Sequence, residues 1–142
     1  MTDPENHVAT LNAISALAPF NTWAGLEVLS ASAGHAEIAI NWRTEFGQYA
    51  GFLHAGMVGA LLDTACGFAA VTQVGPVLTS HFSVSCLRPA VGERFIARAT
   101  LIKPGKVQCF AKAELFGITK GSEKLVATGE AIMVVTGSPV SG

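Results

Sequence analysis

Charge is what this chain of 142 residues has least of. Lys and Arg number 9 and Asp and Glu 10, together 13% of the sequence, for a net charge of -1; a soluble domain usually carries about 25%. Near balance excludes the basic footprint of a nucleic-acid binder. Half of the residues are hydrophobic, too many for a disordered chain. Long apolar runs are missing too. The longest stretch without Asp, Glu, Lys or Arg, 64–87, is broken by Gln73, Gly75-Pro76, Thr79-Ser80-His81 and Ser83. No span of the ~20 apolar residues that a bilayer requires is expected there, and no membrane partner. The opening Met1-Thr2-Asp3-Pro4-Glu5 has no basic start of a secretory signal, so the expected compartment is the cytoplasm. Cys66, Cys86 and Cys109 are an odd count without paired spacing and read as reduced core thiols. Four scattered histidines make no metal site; His7 and His35 read as solvated surface, His81 as a sheet-face residue. No Gly-rich phosphate loop occurs, so ATP and NAD have no support. A mean hydropathy of +0.45 with so little charge implies apolar surface hidden in a subunit interface.

What is present organises as one domain over 1–142, with a helical segment at 1–20 and a disordered tail expected at 137–142. Thr2 and Glu5 have capping-box spacing, Pro4 suits a first turn, and Val8, Leu11, Ile14 or Ser15, and Leu17 or Ala18 follow helical spacing until Pro19 ends the run. Leu26–Leu29 reads as a short strand. In 35–43, Ala36, Ile38, Ile40 and Trp42 alternate with Glu37, Ala39, Asn41 and Arg43, the pattern of a half-buried strand. Residues 51–71 are rich in Gly and Ala and predict a helix starting near His54 or Ala55. Strands follow at 78–87, 94–103, 106–116 and 124–135, each expected to connect to the next by a tight turn, with hairpin turns at Pro104-Gly105 and 117–121. The predicted fold is α+β, an antiparallel sheet wrapped around one long apolar helix.

That helix carries Gly56, Gly59 or Ala60, Asp63, Gly67 and Ala70 on one stripe. Each interior Gly costs about 0.8–1 kcal/mol against Ala, which calls for close packing or ligand access. Asp63 is one of only two aspartates and interrupts an apolar segment. It is either a structural carboxylate, capping backbone or pairing with Arg88 or Arg98, or a poised base or nucleophile. The amides after His54 open the helix and suit a developing oxyanion. Asp63 lies about two helical turns beyond them, too far to reach along its own helix. A carboxylate from a second subunit meets that distance.

His54-Ala55-Gly56, Asp63 within Leu61-Leu62-Asp63-Thr64-Ala65, and Ser83-Val84-Ser85-Cys86-Leu87-Arg88-Pro89-Ala90 with Gly92 resemble the hotdog-fold acyl-CoA thioesterases, in particular the PaaI-like (phenylacetate-pathway) branch. The resemblance runs from about Ala24 to Val135. It implies a single hotdog domain, a homodimer or dimer of dimers, an acyl-CoA substrate, and no cofactor beyond the coenzyme A of the substrate itself. It implies that Asp63 activates water or attacks the thioester, and that the amides of Ala55 and Gly56 hold its oxygen. Gln48 falls where relatives carry an Asn or Gln that orients substrate or water, and Thr79 where a hydroxyl lies near the carboxylate. His54 shapes the loop, touches the carbonyl or acts as base. Arg88, Lys103 and Lys106 lie at strand ends near where relatives bind the nucleotide. The sequence departs from the family at Ala55, where relatives have Gly; the N–H donor survives, but a methyl group is added.

Hydrolysis of an acyl-CoA to free acid and CoA is the expected activity. Two alternatives stay open: a hotdog hydratase or dehydratase using His54 with Asp63, and a non-catalytic acyl-CoA binding module, which Ala55 and the scarcity of cations would suit. Phe46, Tyr49, Phe52 and Phe68 are candidate acyl-pocket residues for aryl or aliphatic groups alike.

Overall fold

The computed structural model describes residues 4–137, with side chains from Asn6 onward. The Thr2–Glu5 capping pair and residues 138–142 of the expected tail lie outside the described residues. The elements are α1 (Pro4–Ala16), α2 (Pro19–Ala24), β1 (Glu27–Ser32), β2 (His35–Asn41), α3 (Ala55–Val74), β3 (Val77–Cys86), β4 (Arg94–Lys103), β5 (Gln108–Thr119) and β6 (Ser122–Val135), with a single 3-10 turn at Thr44–Phe46. Pro19 does end the first helix, but it also begins α2, because its fixed φ and missing N–H suit a first helical position.

All six strands join one antiparallel sheet in the order β1-β2-β4-β5-β6-β3. Alternation explains the central strands: β4 and β5 bury every second residue, among them Phe95, Ala97 and Ala99, and Cys109, Ala111, Ala113 and Leu115. The inner face wraps α3, whose Val58, Leu61, Leu62, Ala65 and Ala69 are buried against it. By length and composition α3 could cross a membrane, yet over half of its most apolar stretch is buried inside the sheet, as a core helix is. Small residues there serve close approach. A Cβ at Gly59 would stand 3.3 Å from the Phe82 ring of β3, whereas one at Gly67 would meet open space.

Three expectations need correction. Gly117 belongs to β5 rather than to the turn, since a Cβ there would lie 2.2 Å from the Val91 carbonyl oxygen. The β5–β6 turn is Lys120-Gly121, both with positive φ, as tight hairpins require. Nor does every strand after α3 follow its predecessor by a tight turn: β3 pairs with β6 at the sheet edge, and residues 87–93 cross from there to central β4. His7, on α1, is buried rather than solvated.

The two edges differ. α1 packs against β1, whereas β3 is exposed along nearly its whole length and has no second strand neighbour among the described residues.

Candidate active site

His54 caps α3. Its backbone is extended (φ -61°, ψ 138°), and its Nδ1 accepts a hydrogen bond of 2.8 Å from the Gly56 N–H. A backbone N–H is always the donor, so the neutral ring carries its proton on Nε2 and presents a donor there. Gly56 has to be small: a Cβ would press to 3.0 Å from that same Nδ1. The His54 carbonyl accepts from Met57 and Val58 at 2.9 and 3.0 Å. Among the described residues no acceptor meets the N–H of Ala55, the first residue of the helix. The helix therefore opens on one free amide, because the cap occupies Gly56. Ala55 keeps an ordinary negative φ, so its methyl group costs no backbone strain.

Two segments hold this end in place. The His54 N–H donates to the Phe46 carbonyl at 2.8 Å and the Leu53 N–H to Ala90 at 3.0 Å; the second bond ties the β3–β4 crossover to the helix start. The loop before the cap is closed by Gln48, whose N–H donates to the Phe52 carbonyl at 2.8 Å. Its side-chain Oε1 accepts from the amides of Ala50 and Phe52. Gln48 thus spends its oxygen on ordering the loop and keeps only its NH2 group for another partner. A cavity of about 490 Å³ results, lined among others by Gln48, Tyr49, His54, Ala55, Cys86 and Arg88. Arg88 is exposed and makes no ion pair among the described residues. Cys86, read as a core thiol, faces this cavity, while Cys66 and Cys109 are buried. Alternating burial marks a facing side chain only where a strand is covered, and edge strand β3 gives no such pattern.

Asp63 stands apart. One carboxylate oxygen accepts a 2.8 Å bond from the Thr79 hydroxyl, which a β-bulge between Thr79 and His81 turns toward the helix. Neither arginine considered as its partner pairs with it. Arg98 binds Glu37 and Glu123, and Arg88 sits by the helix start. Burial first, and Asp63 and Glu130 after it, push the Cys66 thiol up to about 12, which makes Cys66 inert at neutral pH. From Ala55 to Asp63 is about 12 Å along the helix axis at 1.5 Å per residue. Lys103 and Lys106 are exposed beside the β4–β5 turn. Lys103 pairs with Phe110, and Phe110 with Ile132, opposite His81 in the first half of β3. Arg88 follows the end of β3, so one chain does not bring the three cations together.

A second, smaller hollow of about 270 Å³ adjoins the cap on the other side of His54. It is lined by Phe20, Trp23, Phe46, Met57 and Ala60, with Glu45 and Gly56. Of the candidate aromatics, Tyr49 and Phe52 line the larger cavity, Phe46 lines the smaller one, and Phe68 is buried in the core. Phe20 and Trp23 went unnoticed in the sequence because the short α2 was hidden behind Pro19.

The family model of the thioesterase superfamily matches residues 50–122 of this chain. The chain is similar to the medium/long-chain acyl-CoA thioesterase YigI of Salmonella typhimurium, 30% identical over 118 residues that cover 68% of this chain and 74% of that protein. The protein of the same name from Escherichia coli matches to the same extent. Among solved structures, a thioesterase family protein from Silicibacter pomeroyi superposes with a TM-score of 0.86 at 34% identity, over 90% of this chain and 96% of its own. The Escherichia coli PaaI protein shares the fold, with a TM-score of 0.85 at 18% identity over 98% of this chain and 100% of that one.

Proposed function

The chain belongs to the thioesterase superfamily, and from that premise we propose that it hydrolyses an acyl-CoA to the free acid and coenzyme A. The observation that carries this reading is the free Ala55 amide at the head of a 20-residue helix, in a cavity beside a histidine held as a donor. The thioester oxygen rests on that amide, where the helix dipole favours negative charge. The Nε2–H of His54 supplies a second donor. Because Nδ1 is committed to Gly56, the neutral ring has no nitrogen free to act as base. This counts against a hydratase built on His54.

The base is Asp63. The Thr79 hydroxyl holds one of its oxygens, and the other takes a proton from water. The water oxygen bonds to the thioester carbon, the C–S bond breaks from the tetrahedral intermediate, and the departing thiolate recovers the proton. This needs Asp63 within one water of the carbonyl, a condition that 12 Å along one helix does not meet.

A second copy meets it. Two β3 strands paired antiparallel about a two-fold axis set the Thr79 end of one against the Cys86 end of the other, which brings Asp63 of the partner subunit to the Ala55 amide. The bare edge of β3 and the low overall charge both support this homodimer. The same axis brings Lys103 and Lys106 of the partner subunit to the end that holds Arg88, where the three cations bind the phosphates of coenzyme A. A dimer of dimers extends the arrangement. An acyl-CoA substrate places the enzyme in the cytoplasm.

Thiol release over acetyl-, butyryl-, octanoyl-, palmitoyl- and phenylacetyl-CoA tests the reading, with Asp63→Asn as the control. The expected loss is about 10²–10⁴-fold in kcat for a general base. Full activity in Asp63→Asn would overturn the assignment. Single turnover in ¹⁸O water that leaves label in the Asp63 carboxylate would instead show nucleophilic attack.

A further inference from the structure

The hydrolase reading leaves the acyl group unspecified, and the inference here rests on that reading. We propose that the hollow beside the N-terminal half of α3 receives a straight medium-length acyl chain, and that Ala60 sets how long a chain it accepts.

His54 is the wall common to both cavities. A thioester seated on the Ala55 amide therefore has one arm on each side of the imidazole. The larger cavity is also apolar over much of its wall, at Tyr49, Phe52, Leu53, Val58 and Leu87, but it alone of the two contains the unpaired Arg88 and the Gln48 loop, and so suits the coenzyme. The smaller is lined mainly by carbon, and Glu45 is its only carboxylate. Its floor runs one helical turn along α3, from Gly56 to Ala60, where larger side chains would fill it. At about 30 Å³ per packed heavy atom, the share of a water in the liquid, the 270 Å³ of the hollow hold about nine carbons.

The opposite wall is aromatic and fixed. Trp23 stacks edge-on against Phe46, with centroids 5.2 Å apart, and Phe20 lies 5.8 Å from Trp23. The Arg43 guanidinium sits 5.0 Å from the Trp23 ring and 4.3 Å from that of Phe46, and Nη2 donates to the Trp23 carbonyl at 2.6 Å. So held, Trp23 and Phe20 remain 49% and 46% exposed. An alkyl chain laid between them and α3 covers that surface, which is the driving force for its binding.

The test has two readouts. In Ala60→Phe, kcat/KM on decanoyl-CoA is expected to fall at least tenfold while butyryl-CoA stays within about twofold, the scale on which an apolar pocket discriminates chain length. In a Trp42→Phe background Trp23 is the sole tryptophan. Its emission is expected to shift to the blue on titration with the non-hydrolysable thioether S-decyl-CoA, and to stay unmoved when Ala60→Phe is added. Thiol release that falls equally on both substrates, or a preference for phenylacetyl-CoA indifferent to Ala60→Phe, overturns the proposal. Blue-shifted Trp23 without thiol release from any acyl-CoA upholds the hollow and defeats the hydrolase reading instead. Should Ala60→Phe not fold, Phe20→Ala at its half-exposed position carries the test. It widens the hollow and is expected to raise activity on palmitoyl-CoA relative to decanoyl-CoA, and an unchanged ratio overturns the proposal.

Discussion

In the proposed site, the head of α3 and its middle supply two halves built from different materials. At the head the working groups are backbone: the Ala55 amide is free because the chain turns into a helix there, and His54, Gly56 and Gln48 serve to hold that turn. At the middle they are side chains: Asp63 projects from a regular turn of helix and is oriented by one hydroxyl across a strand bulge. On that proposal the head could lose most side chains and still bind an oxyanion, whereas the middle could not lose Asp63 and still move a proton. Substitutions at the two ends should therefore fail differently, and they should complement only if the ends meet across a two-fold axis.

Complementation is the largest expected effect. Ala55→Pro deletes the free N–H at a helix position that tolerates Pro, and the extended backbone of His54 is the conformation a following Pro demands. Loss of one such donor is expected to cost about 10²–10³ in kcat. Ala55→Pro and Asp63→Asn are each expected to be nearly inactive alone. Mixed, unfolded and refolded together, they regain thiol release, because the heterodimer contains one site with both ends intact. No recovery, in a mixture shown to exchange subunits, would place both ends of a working site in one chain and refute the shared site.

Thr79→Val sharpens the contrast at the middle. It removes the donor to Asp63 and keeps the shape and the β-branched strand residue. A hydrogen bond to a charged group contributes about 1.5–3 kcal/mol, so kcat is expected to fall about 10- to 100-fold while KM for acyl-CoA stays in place. A change confined to KM would assign Thr79 to substrate binding at the head.

Much of the fold was legible, because burial writes a period into the residues that it covers. β4 and β5 alternate in sequence as they alternate in burial, β2 does so except at Ala39, which is buried although it sits among the polar-face residues, and the Gly- and Ala-rich run from Ala55 is the one helix the sheet wraps. What stayed hidden depends on distant partners. Gly117 answers to Val91 rather than to its own turn, the place of β3 at the edge is set by its pairing with β6, and exposed Cys86 has no covering element to give it a period. The site divides in the same way. Asp63 and His54 stand out locally, as a charge in an apolar helix and a residue at its start. The family resemblance already put the Thr79 hydroxyl near that carboxylate, in agreement with its 2.8 Å bond to Asp63; that the cap consumes the Gly56 amide follows from a side-chain rotamer.

The smallest effect belongs to the face that the site does not use. On the outer side of the sheet Arg98 donates to Glu37 at 2.9 Å and to both oxygens of Glu123 at 2.5 and 2.8 Å, with its guanidinium 4.7 Å from the Phe116 ring. Arg98, fully paired, is the counterpart of Arg88, which is unpaired and faces the cavity. Hydrogen bonding to Arg98 holds the Glu123 carboxyl below the usual carboxylate range. A carboxyl with a depressed folded pKa adds stability that is complete above its unfolded pKa and disappears as pH falls through the folded value. Glu123→Gln is therefore expected to lower Tm slightly at pH 7 and low salt. The gap from the native protein should close as pH drops below the ordinary carboxylate range, and shrink with added salt. Thiol release at pH 7 should be unchanged. A loss of activity in Glu123→Gln would mean that the outer face communicates with the site, and the separation between a structural arginine and a substrate-binding one would fail.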